Sequence, residues 1–97
     1  MIEYLYDAIR ASSGQNINIY ADITDDNGNP IAEGCRLNLF SPDKEFIASF
    51  EGVIDENLGE WKFSIPAEAT TGLKGRYFYC ISYFNTSLCF KQPIYLV

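Results

Sequence analysis

Apolar and polar residues alternate with a period of two along most of the chain. In "QNINIYADIT" the apolar positions are Ile17, Ile19, Ala21 and Ile23. Successive side chains of a β-strand point to opposite faces, so this alternation predicts a strand with one buried and one exposed face. The same alternation recurs in "CRLNLF" (35–40), "EFIASFEG" (45–52) and "EWKFSIP" (60–66). The pattern therefore predicts an all-β chain.

Turn-forming residues separate these stretches. "DDNGNP" (25–30) ends the first strand, because Gly28 accepts a positive φ and Pro30 cannot continue a central strand. "SPDK" (41–44) and "DENLG" (55–59) form the next turns. Between the strands, "PAEATTG" (66–72) alone has the pattern of a helical turn, with proline at its start and glycine at its end.

The C-terminal third predicts a hairpin of two strands, 76–84 and 87–97. The register with the best apolar pairs sets Ile81 against Leu88 and Tyr79 against Phe90. The same register sets Cys80 against Cys89 and Phe78 against Lys91. The N-terminal "IEYLYDAI" fits either a strand or a short helix. Six or seven short strands with regular turns predict one domain, residues 1–97, with an antiparallel immunoglobulin-like β-sandwich fold of about seven strands.

Aromatic rings occupy both faces of the first hairpin strand, "GRYFYCISYF" (75–84). The stretch resembles the penultimate strand of an immunoglobulin-type sandwich, where Gly-x-Tyr-x-Cys places the tyrosine and cysteine positions inward. Gly75 and Tyr77 match, but Tyr79 takes the inward cysteine position and Cys80 falls one residue late. The predicted core residues, which pack with Trp61, are Tyr77, Tyr79, Ile81 and Tyr83. The predicted outward residues are Phe78, Cys80, Ser82 and Phe84.

The outward side of the hairpin predicts an apolar patch with a basic rim. Its candidate residues for a protein interface are Phe78, Cys80, Phe84, Cys89 and Lys91. An apolar patch of this kind on a monomer normally marks an interaction surface. The competing hypothesis is that the N-terminal "IEYLY" (2–6) folds over the patch and makes it part of the core. Both hypotheses predict that these rings are covered.

Charge and cysteine content narrow the classes of partner. The 97 residues carry a net charge of −6, which argues against nucleic acid, and no stretch approaches the length of a membrane span. All 13 acidic residues lie within residues 1–68, whereas the charged residues of 69–97 are all basic. Either the fold interleaves these charges, or one surface is asymmetric and orients packing against a neighbour.

The start "MIEYLYDAIR" lacks a basic signal region, so a reducing cytosol with Cys80 and Cys89 as thiols is expected. The register above nevertheless places these two cysteines within disulfide reach.

Catalytic and metal chemistry find little support in the sequence. The chain has no histidine, and its three cysteines lack zinc-site spacing. The carboxylates of Asp25, Asp26, Asp55 and Glu56 fall in predicted turns, where solvation gives their pKa no reason to shift. The acids of "DITDDNGNP" are spaced wrongly for a helix-flanked calcium loop. We therefore expect a protein that is not an enzyme and that uses no cofactor or metal.

Four stretches resemble small immunoglobulin-like modules of tailed-phage virion proteins, such as the N-terminal domain type of baseplate upper proteins. They are "ITDDNGNPI", "CRLNLF", "EWKFSIP" and "LKGRYFYCISY". The resemblance implies a structural virion component, either a capsid decoration or a tail or baseplate docking module. It would pack on itself as a homo-oligomer or on a larger virion subunit, after assembly in the host cytoplasm. The alternative is a bacterial surface module that binds a ligand, such as carbohydrate, through Tyr20 or Tyr95.

Overall fold

The alternating stretches form strands of two stacked sheets. A computed structural model describes residues 2–4, 9–24, 27–29, 31, 34–55, 57, 59–83 and 91–97. In these residues the strands are β1 (Ile2–Tyr4), β2 (Ile9–Ala11), β3 (Ile17–Ile23), β4 (Cys35–Phe40), β5 (Phe46–Glu51), β6 (Val53–Asp55), β7 (Glu60–Ile65), β8 (Gly75–Tyr83) and β9 (Gln92–Leu96). The predicted helical turn is confirmed as α1 (Ala67–Thr70).

The strands divide between a four-stranded and a five-stranded sheet. The first has the order β1-β3-β7-β6 and is antiparallel throughout. The second has the order β2-β9-β8-β4-β5 and is antiparallel except where β2 runs parallel to β9. The N-terminal segment, left open between strand and helix, supplies one short strand to each sheet. The predicted all-β sandwich is confirmed.

The core lies between the inward faces of the two sheets. Tyr79 and Ile81 are fully buried from one side, and Trp61 and Phe63 are buried from the other. Tyr77 is half-buried and packs against this cluster. The inward assignment of these residues on β8 is therefore confirmed, whereas the side chain of Tyr83 lies outside the described part of the chain.

The alternation in "EFIASFEG" predicts that Phe46, Ala48 and Phe50 share one face of a strand, and this prediction is wrong for Phe46. Phe50 and Ala48 lie opposite Leu37 and Leu39 on the inward side, as their alternation requires. The register then shifts next to Phe40, so that Phe46 lies opposite Phe40 instead of continuing the inward row. Such a shift inserts one extra residue into a strand and reverses the face of those beyond it. Phe46 is consequently on the outside of the sheet and 60% exposed.

The predicted register of the last hairpin is also wrong in the described residues. Phe78 lies opposite Pro93 and Tyr79 opposite Gln92, which is a slip of two residues from the predicted pairs with Lys91 and Phe90. A slip of two residues leaves every side chain on the same face of the sheet. Matching apolar residues across the hairpin therefore cannot distinguish the predicted register from the observed one. The predicted partners Leu88 and Cys89 lie outside the described residues.

Candidate protein-interaction face on the five-stranded sheet

An aromatic row crosses the outer face of the five-stranded sheet. The pairing of β4 with its two neighbours sets Phe40 between Phe46 and Phe78, and Phe78 lies opposite Pro93 on β9. The rings of Phe40 and Phe46 meet edge to face, with 6.1 Å between their centroids. Four adjacent strands therefore place apolar side chains side by side on the surface that faces away from the core.

Three cations cover two of these rings. Lys44 Nζ lies 5.3 Å and Arg76 Cζ 5.2 Å from the centroid of the Phe78 ring. Lys91 Nζ lies 4.6 Å from the centroid of Phe40. At these distances a cation is attracted by the negative face of the ring. We call the six residues the cation-capped aromatic face: Phe40, Lys44, Phe46, Arg76, Phe78 and Lys91.

The cations explain why Phe78 is only 8% exposed although it points away from the core. The competing hypothesis placed the N-terminus over this patch. Residues 2–4 instead pair with β3 in the opposite sheet, so they do not cover it. Residues 5 and 6 lie outside the described residues. The ring of Phe78 is thus covered as predicted, and the cationic groups of Lys44 and Arg76 lie over it.

Of the five predicted interface residues, the structure brings Phe78 and Lys91 onto this face. Cys80 lies in the next row of the outer face, opposite Asn38, and its side chain is buried. Phe84 and Cys89 lie outside the described residues. The prediction missed the other four residues of the face, which are Phe40, Lys44, Phe46 and Arg76.

A sequence signal for Phe40 did exist. Arg36, Asn38 and Phe40 share the outward parity of "CRLNLF", so a phenylalanine at the end of this polar row predicts an outward ring. The position of Lys44 carries no such signal. It depends on a turn in which Lys44 itself adopts a positive φ of 66°.

The two cysteines of the described residues differ in chemical state. Cys80 is disulfide-bonded, so the expectation that it is a thiol is wrong. Asn38 Nδ2 donates hydrogen bonds to the Cys80 carbonyl at 3.5 Å and to Ser82 Oγ at 3.1 Å, which ties this row together. Cys35 is a free thiol that faces the core from β4.

The Cys35 thiol predicts a loss of stability at alkaline pH. Burial raises its pKa from 9.0 to about 11. Above pH 9.0 the unfolded chain releases the thiol proton while the folded protein keeps it. The contribution of Cys35 to the free energy of unfolding is therefore lost as the pH rises toward 11. We expect the free energy of unfolding to fall by about 2 kcal/mol more across this window than in a Cys35→Ala variant. Urea unfolding at several pH values measures the difference, and equal slopes in the two proteins would contradict it.

Charge on the two outer surfaces is unequal. Arg10 and Arg76 both lie opposite Tyr95, next to the aromatic row, and with Lys44 and Lys91 they place four cations at this end of the sheet. Asp43 and Glu45 are the acids of the adjoining turn. The outer face of the four-stranded sheet has the opposite balance among its described side chains. There the acids are Asp22, Asp55 and Glu60, and the base is Lys62. Arg36 and Glu51 add an ion pair to the outer face of the five-stranded sheet. Among the described side chains, bases therefore outnumber acids on this side of the sandwich, and acids outnumber bases on the other.

Similarity to solved structures is confined to the fold. Neither a protein-family model nor a curated protein sequence matches the chain. The crystal structure of the Lin-41 filamin domain matches with a TM-score of 0.68 at 20% identity, over 99% of this chain and 91% of that one. The fold is an immunoglobulin-like β-sandwich. Domains 4 and 5 of the S-layer protein SbsC match with a TM-score of 0.63 at 14% identity, over 100% of this chain and 44% of theirs.

A third match is to a much larger protein, E. coli alpha-2-macroglobulin in its native conformation. Its TM-score is 0.65 at 13% identity, and the match covers 99% of this chain but only 6% of that one. In the described ranges, no helix has the length and apolarity of a membrane span. Among the same residues, no three side chains of His, Cys, Asp or Glu come together as metal ligands would.

Proposed function

We propose that the chain is a non-enzymatic structural module that works by packing against protein through the cation-capped aromatic face. The observation that carries the proposal is the row of Phe40, Phe46 and Phe78 on the outside of a sheet, with cations stacked on two of its rings. Aromatic residues and arginine are enriched in the buried centres of protein interfaces. Phe46 supplies an uncovered apolar contact, and the cations supply polar contacts around it.

The charge of the face defines the partner as an acidic protein surface. Carboxylates of a partner would meet Arg10, Lys44, Arg76 and Lys91, which favours correct encounters and resists basic partners. A second copy of the chain offers such a surface, because the outer face of its four-stranded sheet is acidic. A homo-oligomer and a complex with a larger acidic subunit are therefore the two forms of this proposal.

The setting of the module is proposed on two different grounds. The resemblance of its turns and strands to phage modules supports a virion component, as a capsid decoration or a tail or baseplate docking domain assembled in the host cytoplasm. A bacterial surface module is the second candidate. It is favoured by the disulfide at Cys80, because disulfides persist mainly outside the cytoplasm, and by the likeness of the fold to S-layer domains.

The thiol state in producing cells separates these settings. Protein from cells quenched with acid is alkylated before and after reduction, and Cys80 is followed by peptide mass spectrometry. A Cys80 that is alkylated only after reduction supports the surface module. A Cys80 alkylated without reduction supports assembly in the cytoplasm and contradicts the second candidate.

Phe78→Asp is expected to weaken assembly more than folding. The introduced carboxylate would lie between Lys44 and Arg76 and offset the charge that an acidic partner meets, while the ring on which these two cations stack is lost. We expect an association constant at least about tenfold lower, since truncating an interface anchor costs about 2 kcal/mol. Light scattering over a dilution series measures the association of the chain with itself, and calorimetry measures it for an acidic partner.

The matched control is Phe63→Leu, which alters a ring of the core. It should lower the free energy of unfolding without a specific effect on association. If Phe78→Asp unfolds as readily as this core variant while the unaltered chain remains a monomer at every concentration and salt, the ring belongs to the core of a monomer and the proposed interface is wrong.

A further inference from the structure

The four edges of the two sheets differ in length. The edge strands β1, β2 and β6 have three residues each, whereas β5 has six. Short edges are one way in which proteins prevent unwanted pairing with another strand. Among the described residues, β5 is therefore the one edge long enough to serve as a template for a further strand.

The same side of the sandwich carries most of the exposed apolar residues. Phe46 on β5 is 60% exposed and Ile47 is 42% exposed, and Val53 and Ile54 on β6 follow at 61% and 39%. We call residues 46–55 the β5–β6 edge. In the described residues, only Tyr95 and Val97 are further large hydrophobics of comparable exposure. An edge that is both long and apolar is an open pairing surface.

Backbone groups of β5 also point to the open side. The amide of Gly52 donates to the Cys35 carbonyl at 3.0 Å, which identifies Cys35 and Gly52 as a hydrogen-bonded pair of the β4 and β5 ladder. Hydrogen-bonded and non-hydrogen-bonded pairs alternate in antiparallel sheets, so Ser49 and Glu51 belong to the other kind. Their N–H and C=O groups consequently face away from β4, where an added strand would meet them.

We propose that β5 binds an extended β-segment of a partner polypeptide, apolar in its middle and cationic at its ends. Main-chain hydrogen bonds to Ser49 and Glu51 would hold the segment, and its apolar side chains would cover Phe46 and Ile47. Glu45 and Glu51 stand at the two ends of β5, which selects lysine or arginine at the ends of the segment. Glu51 remains 79% exposed beside its ion pair with Arg36, so it is open to a second cation.

Charge argues against a second copy as the occupant. When two identical strands pair antiparallel about a two-fold axis, the axis must pass between the two copies of one residue. An axis placed between two residues would make neighbouring pairs equivalent, whereas hydrogen-bonded and non-hydrogen-bonded pairs alternate along the ladder. The residues that would then lie opposite Glu51 are Asp43, Glu45 and Ile47, for centres at Ile47, Ala48 and Ser49 respectively. Each register opposes two carboxylates or sets a carboxylate against an apolar side chain, and like charges directly opposite are destabilising.

Peptide binding tests the proposal. The probes are two short peptides of alternating valine and threonine, one with lysine at both ends and one with glutamate at both ends. We expect the lysine-flanked peptide to bind at least about tenfold more tightly in calorimetry, because two charge contacts change sign. N-methylation of the amides on one side of this peptide should abolish binding, while methylation of the alternate set should not, because only one side of a strand faces β5.

Variants of the edge locate the site. Ile47→Lys should weaken binding at least about tenfold by placing a charge on the edge. Ser49→Pro should also weaken binding at least about tenfold, because it removes one N–H that points away from β4. The ladder between β4 and β5 does not use this N–H, so an edge strand tolerates proline here. Val97→Lys, a second exposed apolar position away from β5, should bind as the unaltered chain does. Glu51→Lys, which leaves the apolar contacts intact, should shift the preference toward the glutamate-flanked peptide.

Equal binding of the two peptides, or none by either, would overturn the proposal. So would binding that survives both Ile47→Lys and Ser49→Pro in variants whose folded state is confirmed by circular dichroism. Self-association of the unaltered chain that Ile47→Lys abolishes would show that a second copy occupies the edge, and would overturn the assignment of the partner.

Discussion

Gly52→Ala is expected to lower the free energy of unfolding by about 3 kcal/mol, the upper part of the range for overpacked cores. A Cβ on Gly52 would overlap Cε1 of Phe63 and lie 2.9 Å from its Cδ1. Phe63 cannot move aside easily, because it is fully buried and stacks on Trp61 with 6.2 Å between ring centroids. The added methyl group must therefore displace the backbone between β5 and β6.

The measurement is urea unfolding followed by the fluorescence of Trp61, the single tryptophan of the chain. Gly59→Ala is the control, because its Cβ would meet no atom within 4 Å and its cost arises only from a positive φ of 70°. That cost should be about 1 kcal/mol. A second control, Gly52→Ala combined with Phe63→Leu, should be less destabilised than the sum of the two single changes, because the smaller side chain relieves the overlap. A Gly52→Ala variant no less stable than Gly59→Ala would contradict the prediction.

Gly52 also matters for the proposed edge. It lies where the chain leaves β5 in one sheet and enters β6 in the other, directly over the Phe63 ring. The close approach of backbone to ring keeps both strands on the same side of the sandwich, so that Phe46, Ile47, Val53 and Ile54 share it. A residue with a side chain at this position would separate the two parts of the β5–β6 edge.

Side-chain parity was the part of the fold that the sequence predicted best. Alternation, read with the resemblance to the penultimate strand of an immunoglobulin-type sandwich, assigned Tyr79 and Ile81 to the core and Phe78 to the outside, and the structure confirms these assignments. Parity is robust because the core rejects a strand with the wrong face inward. Register is less constrained, and Phe78 lies opposite Pro93 instead of Lys91 because a slip of two residues leaves every face unchanged.

Only two of the six residues of the candidate site were predicted, for a related reason. Phe78 and Lys91 were found by parity and by their place in the last hairpin, but the shift of register beside Phe40 brings Phe46 to the same face. A shift of this kind depends on how two strands meet, which no single strand encodes. One of the two cations over Phe78 is Lys44, and its position follows from a backbone conformation that non-glycine residues seldom adopt.

Trp61→Phe is expected to lower the free energy of unfolding by about 3 kcal/mol, through two separate losses. The indole Nε1–H donates a hydrogen bond of 2.7 Å to the carbonyl of Ile31, in a buried setting. Phenylalanine leaves that carbonyl without this donor and also fills less of the core. Ile31 in turn donates its own N–H to the carbonyl of Ile23, so the indole fastens the segment after β3 to β7.

An analogue separates the two losses. Because Trp61 is the single tryptophan, biosynthetic replacement by benzothienylalanine removes the N–H at this position alone and keeps the shape of the ring. This protein should lose about 1.5 kcal/mol, the cost of a buried carbonyl deprived of its partner, and Trp61→Phe should lose the remainder through the cavity. Circular dichroism, which does not depend on tryptophan fluorescence, monitors the urea unfolding of both proteins. If the analogue is as stable as the natural protein, the hydrogen bond to Ile31 contributes nothing and the indole acts in the core by volume alone.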